Sequence, residues 1–163
     1  MLVKSDIESD TEEGSLTGTS ENLQPMAHAA QNRCFGCGQA NPLGLQLEFF
    51  LAEDGAVVSF ATVADTYEGP PGYLHGGIIA TLLDEAMSKA VRARGLVAMT
   101  RKLEIDYLRP VPSGSAIRVE GRVVRDEDRK HWTEARLINA GGLTLAEGKG
   151  LFIEVRRKEP AQK

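Results

Sequence analysis

The spacing of apolar residues changes period along the chain, and each change marks an element. From Leu43 to Val63 apolar residues recur in two runs broken at Asp54–Gly55, which predicts two strands joined by a tight turn. Glu68–Tyr73 is a Gly/Pro loop, and beyond it the period becomes helical. Ile78, Ile79, Leu82, Leu83, Ala86, Met87 and Ala90 then cover about half of a helical wheel, leaving Thr81, Asp84, Glu85, Ser88 and Arg92 on the polar face. Asp84 and Glu85 fall at opposite borders of that face, so each is expected to be half-buried. From Leu96 onward strand alternation returns within 97–111, 115–128, 130–140 and 143–157, punctuated by Pro110, the Pro112–Gly114 turn and Gly141–Gly142. One long helix inserted after the second of about six mostly antiparallel strands makes an α+β fold, in which the sheet wraps the helix to bury its apolar face.

Composition narrows the picture. A chain of 163 residues, 42% hydrophobic, suits one domain with a substantial core. The first 24 residues hold six acidic side chains and one lysine, leaving 18 basic and 17 acidic residues for the rest. We therefore expect an acidic, disordered tail over residues 1–30, a folded domain over 31–158 and a short tail over 159–163. The near-neutral body argues against a nucleic-acid surface, which needs a basic stripe. No apolar run approaches the roughly 18–20 residues that span a bilayer. The tail matches neither a secretory signal nor an Arg-rich transit peptide, so a cytoplasmic, membrane-free protein is expected. Cys34 and Cys37 form a CxxC, which can be a redox pair or half of a zinc site. Zinc would need two more ligands from His28, His75, His131 or carboxylates, and Gly36, Gly38 and Pro42 make a turn rather than a helix start. A small buried turn with reduced thiols, and no metal, is the expectation.

The helix start carries the chemistry. Gly76 and Gly77 each cost about 1 kcal/mol of helix propensity relative to Ala. The preceding Tyr73, Leu74 and His75 include none of the usual capping residues. Unpaired amides at the positive end of a helix dipole suit an anion or an oxyanion. The same glycines also suit a tight turn that only permits close packing. Asp84 lies eight residues on, about 12 Å along the axis, too far to serve the same carbonyl. Both can act in one site only if a two-fold partner brings its antiparallel helix alongside.

Gly69–Met87 (GPPGYLHGGIIATLLDEAM), followed by Met99–Gly114 (MTRKLEIDYLRPVPSG), resembles the hotdog-fold acyl-CoA thioesterases. The resemblance is to the branch of phenylacetyl-CoA-type and mitochondrial long-chain enzymes, and Cys34–Leu47 is similar to that branch too. The resemblance implies a homodimer, or a dimer of dimers, acting on acyl-CoA without a cofactor. Gly76, alone or with Gly77, would donate to the thioester carbonyl, and His75 would shape the turn. Asp84 of the other subunit would be base or nucleophile, and Thr100 would orient the water. Arg101, Lys102, Arg109, Lys149 and the Arg156–Lys158 cluster are candidate contacts for the coenzyme phosphates. Two departures stand out. Gly69 replaces an Asn or Gln common in relatives, which leaves open a non-catalytic acyl-CoA-binding protein. Strict alternation also puts Thr100 with Lys102 and Glu104, opposite Met99, Leu103 and Ile105. Glu85 remains an alternative to Asp84.

Overall fold

The structure, a computed structural model, describes residues 22–155. Its strands are β1 (Gln24–Pro25), β2 (Phe50–Leu51), β3 (Val57–Thr62), β4 (Ala98–Tyr107), β5 (Ala116–Glu127), β6 (Lys130–Asn139) and β7 (Thr144–Glu154), with the helix α1 (Gly76–Arg92) between β3 and β4. They form one seven-stranded antiparallel sheet in the order β1-β2-β3-β5-β6-β7-β4. The expected α+β architecture holds, and the seventh strand comes from a segment assigned to the tail. Residues 1–21 of that tail lie outside the described residues, but Gln24–Pro25 pairs with Leu51–Phe50, so the folded chain begins before residue 31. The Asp54–Gly55 turn forms as expected, with Gly55 at a φ of 81° that glycine adopts without strain.

The helix buries Ile79, Leu82, Leu83, Ala86, Met87, Ala90 and Val91 against the sheet. What lets it approach so closely is a row of small residues running straight across three strands. Gly121 pairs with Ala135, and Ala135 with Gly148. A Cβ at Gly121 would sit 2.4 Å from the Ala86 carbonyl oxygen, and one at Gly148 would press on Met87 and Leu83. Around this row, Ile117, Val119, Leu137, Leu145 and Phe152 close the core. Gly121→Ala therefore collides with helix backbone that has nowhere to yield. We expect it to lower the folding free energy by about 1–3 kcal/mol, as overpacked cores do, read as a shifted midpoint in chemical denaturation.

Candidate active site

The loop before the helix folds back on itself. Tyr73 N–H donates to the Pro70 carbonyl at 3.0 Å, Gly69 N–H to Tyr73 at 3.0 Å, and His75 N–H to Tyr67 at 2.9 Å. Its end corrects the expectation of a helix without a cap. His75 is the N-cap: its backbone is extended and its Nδ1 accepts from the Gly77 N–H at 2.9 Å. The Ile78 and Ile79 amides both donate to the His75 carbonyl. Only the Gly76 N–H, among the first four helical amides, has no partner among the described residues.

The two glycines have different reasons to be glycine. A Cβ on Gly77 would lie 3.1 Å from His75 Nδ1, so its absence admits the capping ring. The nearest atoms to a Cβ on Gly76 would be those of the Tyr107 ring, at an ordinary 3.6 Å. Nothing among the described residues forbids a side chain there, and its absence keeps the free amide open to an incoming group. Tyr107 Oη donates to the Gly76 carbonyl at 3.0 Å and ties the helix start to the end of β4. Sequence reasoning missed Tyr107, although its phase with Leu103 and Ile105 would have placed it on the helix-facing side.

Asp84 lies two turns further along, half-buried, and its Oδ1 accepts a 2.8 Å hydrogen bond from Thr100 Oγ1 of the same chain. This corrects the outward orientation that strict alternation gave Thr100. β4 carries a bulge: Thr100 pairs with Phe152 and Lys102 with Leu151, leaving Arg101 as the extra residue. The inserted residue reverses the phase, so Thr100 faces the helix with Leu103 and Ile105 while Lys102 faces outward. Burial raises the Asp84 carboxyl above its usual range. The Thr100 hydroxyl opposes that rise, and the charge of Glu85 adds to it.

Glu85 leaves the helix on the other flank. It meets Lys89 at 3.7 Å and the Cys34 thiol at 3.4 Å, so the alternative carboxylate is already engaged away from Thr100. Lys102 pairs with Glu104 on the outer face, Lys149 stands opposite Glu104, and Arg109 donates to the Thr144 carbonyl at 3.0 Å. Arg101, exposed at the bulge beside Thr100, is the candidate cation nearest in sequence to the Asp84 partner. The Arg156–Lys158 cluster lies outside the described residues. Gly69 packs against His75, where an added Cβ would come within 3.3 Å of its Cα.

This arrangement has relatives. The thioesterase superfamily profile matches residues 71–146, from the loop before the helix into β7. Acyl-coenzyme A thioesterase THEM4 of Xenopus laevis is 38% identical over 90 residues, 54% of this chain and 40% of that protein. The same-named protein of Bos taurus is 30% identical over 128 residues, 77% of this chain and 53% of that one. The chain thus spans about half the length, or less, of these curated relatives. Among solved structures, the BH2602 protein of Bacillus halodurans with CoA superposes with a TM-score of 0.62 at 31% identity, covering 70% of this chain and 77% of that one. RHA08564, a thioesterase superfamily protein, gives a TM-score of 0.72 at 30% identity, covering 75% and 60%. The fold is the hotdog fold, and residues 71–146 are similar to the thioesterase superfamily. No helix among the described residues is long and apolar enough to cross a membrane.

The balance at Asp84 makes a measurable prediction. An acid whose folded-state pKa is raised favours folding below its unfolded pKa and loses that contribution as pH rises through the folded value; ionised at neutral pH, it is a cost. Asp84→Asn keeps an acceptor for Thr100 and should leave thermal stability at pH 7 unchanged or higher. Thr100→Val removes the opposing hydrogen bond and should move the Asp84 carboxyl titration, followed by NMR, to higher pH.

Proposed function

We propose that this chain is an acyl-CoA thioesterase whose site is completed by a second copy of itself. The observation that carries the reading is the placement of two half-sites at the two ends of one edge strand. Among the described residues β4 borders only β7, so its other edge is free there, and it is ten residues long. At one end Thr100 holds Asp84, and at the other Tyr107 holds the Gly76 turn. Within one chain these groups stand about 12 Å apart along the helix. Two-fold pairing of β4 with a copy reverses the strand, so each Thr100 end faces the partner's Tyr107 end. The carboxylate of one protomer then approaches the open amide of the other. Met99, Tyr107 and Leu108, exposed along and just beyond this strand, would be covered by the same pairing.

In that site the Gly76 N–H receives the thioester carbonyl oxygen and stabilises the charge that develops on it, with the helix dipole adding to the effect. Asp84 of the partner subunit takes a proton from water, whose oxygen attacks the carbonyl carbon. The carbon–sulfur bond breaks, and coenzyme A leaves as thiolate and is protonated. Direct attack by the carboxylate is the variant in which an anhydride precedes hydrolysis. A carboxyl raised by burial is the better base. Thr100 is a positioning residue here: it occupies Oδ1 and leaves Oδ2 for the reacting group. The relatives named as acyl-coenzyme A thioesterases, and the CoA in the Bacillus halodurans structure, support this substrate class.

The direct test is thiol release from short, long and aromatic acyl-CoAs. Asp84→Asn and Gly76→Ala should each lower kcat by about a hundredfold or more, with folding intact. The two inactive variants, unfolded together and refolded in equal amounts, should regain about a quarter of wild-type activity. Half the dimers are then mixed, and each mixed dimer holds one intact site of two. Coenzyme A binding without turnover would refute the reaction, and turnover with no regain on mixing would refute the shared site.

A further inference from the structure

The cysteine turn offers a chemistry that the proposed hydrolysis does not use. Residues 32–47 form a compact loop closed by backbone bonds from Gly38 N–H to Cys34, Leu45 to Phe35 and Leu47 to Gly36. The loop is moulded around the side chain of Glu85, 48 residues beyond Cys37 in sequence. A Cβ on Gly36 would lie 2.5 Å from Glu85 Oε2, so a side chain there would push that carboxylate aside. Asn32 braces both cysteines: its Oδ1 accepts from the Cys34 N–H at 3.0 Å, and its Nδ2 donates to Cys37 Sγ at 3.4 Å. Cys37 is buried and Cys34 is exposed, and neither is in a disulfide.

We propose that Cys34, Cys37 and Glu85 form a binding site for one zinc-class dication. Their three ligand atoms all lie within 4.8 Å of one another. The 3.4 Å between Cys34 Sγ and Glu85 Oε2 matches the edge of a tetrahedron with Zn–S and Zn–O bonds, about 3.5 Å. Two soft sulfurs and one oxygen on a short CxxC chelate suit zinc over magnesium or calcium. The local charge closes as well. Two thiolates and a carboxylate carry three negative charges, which a dication and the Lys89 ammonium 3.7 Å from Glu85 offset. Binding releases two thiol protons to solvent and oxidises nothing. The fourth position belongs to water. The bound ion would fasten the 32–47 loop to the helix at the residue next to Asp84, as a structural centre that never touches substrate. The site stands whether or not the chain hydrolyses thioesters.

The test is metal content and binding in the full chain. Purified protein should hold about one zinc per chain, and chelator-stripped protein should take up Zn²⁺ in competition with a chromophoric chelator. Co²⁺ in its place should give sulfur-to-metal charge-transfer bands near the ultraviolet and tetrahedral bands in the visible. Cys34→Ser and Glu85→Gln should each weaken Zn²⁺ binding by about tenfold or more, since outer-sphere partners alone are worth that much. Asp84→Asn should leave it unchanged. Because Cys37 is buried and its variant risks misfolding, the exposed Cys34 and the helix Glu85 carry the test. Zn²⁺ binding no tighter in the wild type than in Cys34→Ser, or a purified chain two mass units lighter with a Cys34–Cys37 disulfide, would overturn the proposal.

Discussion

The structure hangs on the close approach of one helix to the middle strands of the sheet. Gly121, Ala135 and Gly148 make a trough across β5, β6 and β7, and the backbone of α1 at Ala86 lies in it. Small residues there replace side-chain contacts with backbone proximity, and the larger residues on either side grip the helix flanks. The trough fixes how the helix is rotated about its axis. That rotation alone decides that Asp84 turns toward β4 and that Glu85 turns toward the cysteine loop.

The two carboxylates, adjacent in sequence, thereby acquire opposite fates. Glu85 is neutralised on its own flank by Lys89 and enclosed by the loop. Asp84 is partly stripped of water, with one hydroxyl as its visible compensation. A half-buried acid with a single hydrogen-bond donor is an unfavourable thing to build for stability alone, and that cost fits the trade between stability and activity seen where a reactive group must be kept poised. The glycine at 76 tells the same story from the other end of the strand. Propensity disfavours it, packing among the described residues does not require it, and its amide has no partner there.

A long free strand edge is a hazard that folded proteins cover, shorten or charge. Here β4 spans ten residues at the end of the sheet with Met99 and Tyr107 exposed on it. It also carries Thr100 and Tyr107, which hold the two proposed half-sites. One pairing event would satisfy the edge, cover its apolar side chains and bring the carboxylate to the amide, which is why assembly and chemistry belong to a single proposal.

Much of this was legible in the chain itself. The helix register, the Asp54–Gly55 turn, four long strands and the border positions of Asp84 and Glu85 follow from periodicity and turn chemistry, which are local. The family resemblance rested on the run through the His75–Gly77 turn and Asp84, which falls within the matched region. Three features were not legible, for one shared reason. The bulge at Arg101 reverses the phase of β4, and only pairing with β7 reveals it. The capping role of the His75 ring depends on a rotamer that the folded loop selects. The meeting of Glu85 with Cys34 joins residues 51 apart. Sequence determines which face of each element is apolar. Register, rotation and the contacts between distant elements are set by packing, because only there do side chains compete for the same space.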